Sequence, residues 1–293
     1  MTKPDRREDN RVIEASARVK VWTGLSTVML AGAALSLAPS VLHAGILDKA
    51  AKPASGAASP LQLAQHSGEG GEGGAAAKLA EDDVAYLTQL GLVRGHLDVG
   101  MDLYRQGERA AAEPHMEHPA QELYKALAPA LEARGAPGFE EQLEQLEHLV
   151  EQGAPVDRVE AAYRSVLDGV SAAEASVPEA GRADPGRRFH VIVNLVRTAA
   201  DEYAAALDDD GKVVNAVEYQ DALGFVRTAR AMLDALAEEK AAAAAKAVAS
   251  SREQLDGVAL LWPSLLPPAS VESDPSQLYG AAARIEIAAL RLK

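Results

Sequence analysis

Apolar residues recur at spacings of three and four over most of the chain beyond residue 80, which predicts a succession of α-helices. The clearest stripe is Tyr86, Leu90, Val93, Leu97, Met101 and Tyr104. A second stripe on another face of the same segment is Leu92, His96, Val99 and Leu103. A helix that is apolar on two sides is packed between neighbours. We expect this helix, the first ordered one, to begin near Glu81, Asp82 and Asp83, because acidic residues suit a helix N-terminus. Gly91 and Gly95 would permit another helix to cross it closely.

Glycine and proline divide the following region into further helices. Gly135 and Gly153 end apolar stripes, and Pro137 and Pro155 stand where the next stripes begin. Proline is tolerated best in the first turn of a helix, and glycine is favoured just past the end of one. Helices joined by such short connections are typical of an antiparallel bundle, which we assign to residues 79–177.

A second helical set follows a Pro- and Gly-containing segment, residues 178–187, which we interpret as a linker. Within this set, Asn215 and Glu218 have the spacing of a capping box, which marks the start of a helix. The second half again contains roughly four helices, and we assign it to residues 188–293. The predicted fold class is therefore all-α, with two antiparallel helical bundles in tandem.

The chain before the first bundle has the pattern of an export signal. A charged start is followed by an uncharged apolar run over residues 21–38, by Pro39 and by a small-residue site ending at residue 44, so we interpret residues 1–44 as a signal peptide. The run is also near the minimum length of a membrane anchor, which is the alternative. Residues 45–78 are rich in Ala, Gly and Ser and predict a flexible linker. We expect a periplasmic protein, or a membrane-anchored one if the leader stays uncleaved.

Composition narrows the classes of function. The chain of 293 residues has a formal net charge of −14, and an acidic surface repels phosphate backbones, so we expect no nucleic-acid partner. It contains no cysteine, which excludes disulfides, thiolate metal sites and thiol catalysis. Only 4% of the residues are aromatic while alanine is abundant, which favours closely packed helices.

One stretch, Gly95 to Tyr124, carries the residue types of a metal site. It holds three of the seven histidines of the chain beside carboxylates and thioethers. The candidate ligands are His96, His115, His118, Glu122 and Met116. Imidazole and carboxylate suit iron, zinc, manganese or copper(II), and a thioether adds affinity for copper(I). We expect a transition-metal ion, with iron as the first candidate and copper and zinc as alternatives.

The site depends on how this stretch folds. The chain reverses around Gly107, and a second helix beginning near Glu108 would place His118 level with His96 across a hairpin. A helix that begins only at Pro114 would place His118 too high. His115, His118 and Glu122 share one face if the segment is an uninterrupted helix. The alternative is a hydrogen-bonded His96 in the core and two solvated histidines.

A family resemblance lies farther along the chain, in residues 193–225. Three short motifs carry it, namely Glu202-Tyr203, Gly211-Lys212-Val213 and Glu218-Tyr219-Gln220-Asp221. This segment resembles the helical extracytoplasmic domain of some bacterial high-affinity iron and lead permeases. The resemblance implies a helical bundle tied to metal uptake and a membrane permease as partner. We interpret the tyrosines of these motifs as core residues and the acids as solvated or capping.

The N-terminal bundle is more distantly similar to imelysin-like periplasmic proteins of iron uptake, which are helical and carry a His-x-x-Glu metal motif. That spacing is missing at His96 and His118. We find no counterpart of the membrane domain of the permeases, so neither resemblance implies transport by this chain itself.

These observations favour an exported metal-binding protein that is accessory to iron or related transition-metal uptake. The alternative is a metal-free helical scaffold that docks a membrane permease or an envelope partner. We expect no enzyme, because the sequence contains neither a G-x-S-x-G nucleophile elbow nor an HExxH metalloprotease motif. Paired Glu-x-x-His motifs of a di-iron bundle are also missing.

Overall fold

The computed structural model describes residues 72–238, 244–271 and 274–292. Within these ranges the backbone is helical, apart from turns and two isolated β-bridges, so the predicted all-α class is confirmed. The predicted signal peptide and the linker up to residue 71 lie outside the described residues. Among the described helices, none combines the length and the apolar character that crossing a membrane requires.

The helices follow one another with short connections. They are α1 (Glu72–Glu81), α2 (Asp83–Arg105), α3 (Arg109–His118), α4 (Tyr124–Ala133), α5 (Glu140–Glu151), α6 (Val156–Glu174), α7 (Glu179–Arg182), α8 (Pro185–Ala205), α9 (Ala216–Glu238), α10 (Ala245–Val258) and α11 (Ser276–Ala289). A π-helical turn, Pro119–Leu123, joins α3 to α4. Short 3₁₀ turns, Ala259–Leu261 and Leu290–Leu292, follow α10 and α11.

Helix α2 connects two hydrophobic clusters. One cluster is formed by α1 to α6, and the other by α8 to α11 together with Leu92 of α2. Helix α2 packs against α3 and α6 on one side and against α8 and α9 on the other. The residues of both predicted stripes of α2 are buried, so the prediction of a helix packed between neighbours is confirmed.

The start of α2 is fixed by its own sequence. Asp82 is the N-cap, and its Oδ1 accepts hydrogen bonds from the backbone N–H groups of Val84 at 2.8 Å and Ala85 at 3.2 Å. Such a side chain satisfies donors that have no partner inside the helix. At the other end the chain turns through Gly107, whose φ of 85° lies in the left-handed region that glycine adopts without strain.

Two segments predicted as linkers contain helices where the structure describes them. Helix α1 begins at Glu72, inside the predicted flexible linker 45–78, because its alanine-rich sequence favours a helix and Leu79 is buried against the first cluster. Arg134 also donates from Nε to the carbonyl of Leu79 at 2.9 Å. The predicted linker 178–187 contains α7 and the first turn of α8.

The start of α8 explains the second difference. Asp184 is its N-cap and accepts a hydrogen bond from the backbone N–H of Arg187 at 2.7 Å, while Pro185 occupies the first helical position. Proline there loses no intrahelical hydrogen bond and presets φ. The proline that we interpreted as part of a linker is thus the first residue of a long helix.

Helices α2 and α9 cross with their backbones in contact. A Cβ atom on Gly224 would lie 2.8 Å from the carbonyl carbon of Gly95 and closer still to its oxygen. A Cβ atom on Gly95 would lie 2.6 Å from Cδ1 of Phe225. The predicted close crossing at Gly95 therefore exists, and both glycines are required by the space available. At Gly91 the fit is looser, because a Cβ there would lie 3.2 Å from the side chain of Leu195 of α8.

We expect Gly224→Ala to lower the free energy of unfolding by about 2–3 kcal/mol, because the new methyl group meets backbone that cannot move aside. Gly257→Ala is the matched control, since it is also helical and a Cβ there meets no atom within 4 Å. That variant should gain about 0.5–1 kcal/mol, through helix propensity. Urea denaturation measures both, and equal stability of the two variants would contradict the close crossing.

Candidate metal centre

The α2–α3 hairpin brings two predicted ligands side by side. Helix α3 begins at Arg109, right after the turn, so Pro114 lies inside the helix and does not start it. The ring centroids of His96 and His118 are 5.9 Å apart, with their planes at 82°. The sequence predicts that His118 lies level with His96 if the second helix begins near Glu108, and the structure has this arrangement.

A carboxylate from α9 lies among the three histidines. Oδ1 of Asp221 is 2.6 Å from Nδ1 of His96 and 2.8 Å from Nδ1 of His115. Its other oxygen, Oδ2, is 4.0 Å from Nδ1 of His118. Ligand atoms of His96, His115 and Asp221 all lie within 4.8 Å of one another, and all three residues are buried. We call His96, His115, His118 and Asp221 the His₃Asp cluster.

The glycine crossing and a phenyl ring position the cluster. Because α2 and α9 touch at Gly95 and Gly224, the neighbouring His96 reaches Asp221 one turn away on α9. Phe225 packs edge-on against the ring of His96, with centroids 4.9 Å apart. The imidazole is therefore held from one side by a hydrogen bond and from another by an aromatic ring.

Asn215 fixes where α9 starts. Its Oδ1 accepts hydrogen bonds from the backbone N–H groups of Val217 at 3.1 Å and Glu218 at 3.5 Å, so the predicted cap is present. This cap sets the register that turns Asp221 toward α2. The next residue toward the cap, Gln220, is also buried and contacts Nε2 of His115 through Oε1 at 2.9 Å.

The electrostatics of the cluster favour a charged pair. Burial by itself would raise the pKa of Asp221, but the charge of His96 and the hydrogen bonds from His115 and His96 outweigh it and hold this pKa well below its ordinary value. Burial likewise opposes protonation of His115, yet the hydrogen bond and the charge of Asp221 outweigh burial and raise the pKa of His115. Without a metal ion, the ionised form of Asp221 and the protonated form of His115 therefore favour each other.

One atom of the cluster lacks a hydrogen bond. Oδ2 of Asp221 is buried and has no hydrogen-bond partner among the described residues, and His118 lies beyond hydrogen-bond distance. A buried acceptor without a partner costs about 1–3 kcal/mol, and more when it is charged. A cation bound between Oδ2 and the ring of His118 would remove this cost.

Two predicted ligands lie apart from the cluster. Glu122 is exposed on the π-helical turn. Its predicted alignment with His118 assumed an uninterrupted α-helix, but Pro119 lacks the N–H of an α-helical hydrogen bond and a π turn changes the rotation per residue. Met116 is fully buried in the first hydrophobic cluster, with its Sδ beside Gly100, and serves as a core residue.

Asp221 is the functional residue that sequence reasoning missed. Our interpretation of the motif acids as solvated or capping is wrong for Asp221 and for Glu202, since both are buried. The expectation that Tyr203 and Tyr219 are core residues is confirmed. The position of Asp221 in the helix could have revealed it, because Asp221 shares a helix face with the apolar Phe225, four residues later. An acidic residue on an apolar face is seldom buried without a partner.

A second acidic group lies at the edge of α3 and α5. Ligand atoms of Glu117, Glu147 and Glu151 lie within 4.8 Å of one another, and the group is partly exposed. Burial and the neighbouring glutamates raise the pKa of Glu117. Solvated carboxylates of this kind are common on acidic proteins, and we assign no site to them.

Comparison with known proteins links the second half of the chain to a family. Residues 178–290, less than half of the chain, match the model of the iron permease-associated 4-helix bundle domain. The match covers α8 to α11 and includes Asp221, and it confirms the predicted resemblance to a permease-associated helical domain. Neither a curated protein nor a solved structure matches the chain. The resemblance to imelysin-like proteins stays a prediction.

The charged pair predicts how the stability of the metal-free protein depends on pH. A raised pKa of His115 in the folded state contributes stability that is fully present below the unfolded pKa of about 6.5 and is lost as pH rises through the folded pKa. We therefore expect the free energy of unfolding, measured in chelator by urea denaturation, to fall as the pH rises above about 6.5. Asp221→Asn should flatten this fall. Parallel curves for wild type and variant would show that the pair contributes nothing.

Proposed function

We propose that this protein is an exported metal-binding protein that serves the uptake of iron or a related transition metal, and that it holds the ion with His96, His115, His118 and Asp221. One observation carries the proposal. A buried carboxylate lies among three imidazoles, and its Oδ2 has no hydrogen-bond partner among the described residues.

The chemistry of this donor set fits a divalent transition metal. Three nitrogens and a carboxylate suit iron, manganese, zinc and copper(II). Ligands about 2.0–2.1 Å from a tetrahedral ion are roughly 3.4 Å apart. The nitrogen-to-oxygen distances of the cluster, 2.6–4.0 Å, bracket this separation, so small side-chain movements would admit an ion. Because Met116 is a core residue, nothing in the cluster specifically favours copper(I).

Burial gives the site a direction of entry. The side chain of His118 is 30% exposed and that of His96 is 11% exposed, while those of His115 and Asp221 are enclosed. An ion from solvent therefore meets His118 first and the enclosed Asp221 and His115 after it. Binding to a histidine at the surface, followed by transfer to a buried anion, suits a protein that collects an ion as cargo.

The family match supports the context of this cargo. The matching model is described as an iron permease-associated domain, and we propose a membrane metal permease as the partner that receives the ion. We further propose a periplasmic location, on the strength of the export pattern in residues 1–44. In this proposal the protein has no catalytic activity, and the ion is its substrate.

A second function, a metal-free scaffold that docks a permease or an envelope partner, is favoured by one observation. His96 and His115 both reach Oδ1 of Asp221 and so form a buried hydrogen-bonded network without any ion. The packing of α2, α3 and α9 would by itself be a sufficient role for such a network. The two functions differ in whether the cluster binds metal.

Metal binding by the full chain, measured by calorimetry with Fe(II), Zn(II), Mn(II) and Cu(II), tests the proposal. We expect one ion per chain, and we expect the double variant His96→Ala/His118→Ala to bind more than about 100-fold more weakly, because losing ligands costs at least as much as losing their supporting partners. The matched control is His148→Ala/His190→Ala, two exposed histidines. Equal metal affinity of the two double variants would contradict the metal site and favour the scaffold function.

A further inference from the structure

Gln220 lies next to the His₃Asp cluster and hydrogen-bonds to it through its side-chain oxygen. The residue is 1% exposed. Oε1 is 2.9 Å from Nε2 of His115, and the amide nitrogen Nε2 is 3.2 Å from the carbonyl oxygen of Leu265. The glutamine thus bridges a candidate ligand and the segment between α10 and α11.

The two partners of Gln220 determine how its side-chain amide is oriented. A backbone carbonyl only accepts hydrogen bonds, so the NH₂ group of Gln220 must face Leu265. The oxygen Oε1 then faces His115, and an amide oxygen also only accepts. Nε2 of His115 must therefore be the donor and carry a hydrogen. The orientation follows from hydrogen-bond chemistry and from the anchor at Leu265.

One nitrogen of His115 remains for a metal ion. Nδ1 lies 2.8 Å from Oδ1 of Asp221, on the side of the ring that faces the cluster. Because His115 is fully buried, water is not at hand to replace Gln220 as the acceptor for Nε2–H. The tautomer of His115 that can ligate is thus selected by a residue that is not itself a ligand.

We propose that Gln220 is a positioning residue for metal binding, which holds the Nε2–H of His115 so that Nδ1 is the nitrogen presented to the ion. The inference rests on the proposed metal-binding function and adds a residue to it. Through Leu265 the same amide ties the orientation of His115 to the chain segment that follows α10. Gln220 lies in the part of the chain that matches the permease-associated domain, whereas His115 lies outside it.

The test uses the full chain and Zn(II) as a diamagnetic probe. Gln220→Leu removes the acceptor, whereas Gln220→Glu keeps an oxygen toward His115 and gives up the donor to Leu265. We expect Gln220→Leu to bind Zn(II) about 10–100-fold more weakly in a chelator competition, the usual loss for a ligand-supporting hydrogen bond. Gln220→Glu, which keeps an acceptor for the Nε2–H of His115, should lose less affinity than Gln220→Leu. Gln277→Leu, at an exposed glutamine of α11, is the matched control and should not change the affinity.

Nitrogen-15 spectra of the histidine rings show which ring nitrogen binds the metal, and a purely structural role of Gln220 would not affect this result. In Zn(II)-loaded wild type, His115 should show a metal-bound Nδ1 and a protonated Nε2. Ligation through Nε2 in the wild type would overturn the inference even if Gln220→Leu failed to fold. Affinities of wild type and Gln220→Leu within about threefold would overturn it too and leave the proposed function standing, because a supporting partner usually counts for more. A wild type that binds no Zn(II), Fe(II), Mn(II) or Cu(II) would overturn the proposed function and this inference with it.

Discussion

The contact between the backbones of α2 and α9 is the constraint on which the candidate site depends. At Gly95 and Gly224 neither helix has a side chain, and either methyl group would collide with the other helix or with Phe225. Because the two backbones are in contact, Oδ1 of Asp221 lies 2.6 Å from Nδ1 of His96 and 2.8 Å from Nδ1 of His115. Burying a carboxylate is costly unless partners lie within hydrogen-bond distance, so the glycines make a buried anion tolerable between two helices.

That buried anion leaves the site with two possible uses. Without metal, Asp221 and His115 form a charged pair that stabilises the packing of α9 on the hairpin, but one carboxylate oxygen keeps no hydrogen-bond partner within the described part of the chain. The network therefore leaves one acceptor without a hydrogen bond on the side of His118. An ion would replace the proton on an imidazole and satisfy that acceptor, so metal binding and proton binding use the same lone pairs.

The cluster also joins the two halves of the chain. The histidines come from α2 and α3, whereas Asp221 and Gln220 come from the segment that matches the iron permease-associated domain. The matched segment by itself supplies one ligand and one positioning residue. The helices that precede it supply the three imidazoles. In our proposal, the metal site is therefore a property of both bundles together, and α2, which packs against each, holds them in register.

The sequence by itself determined what depends on near neighbours. The stripes of α2, the acidic start of that helix and the cap at Asn215 follow from residues within a few turns of one another. The hairpin that sets His96 beside His118 was one of two arrangements that the local sequence allowed. Tertiary structure alone decided that Asp221, which is 125 residues from His96, completes the cluster. It also turned Glu122 to solvent through the π turn and placed Met116 in the core. Helical periodicity tells which face of a helix is apolar, but which helix covers that face depends on contacts between distant segments, and these have no local pattern.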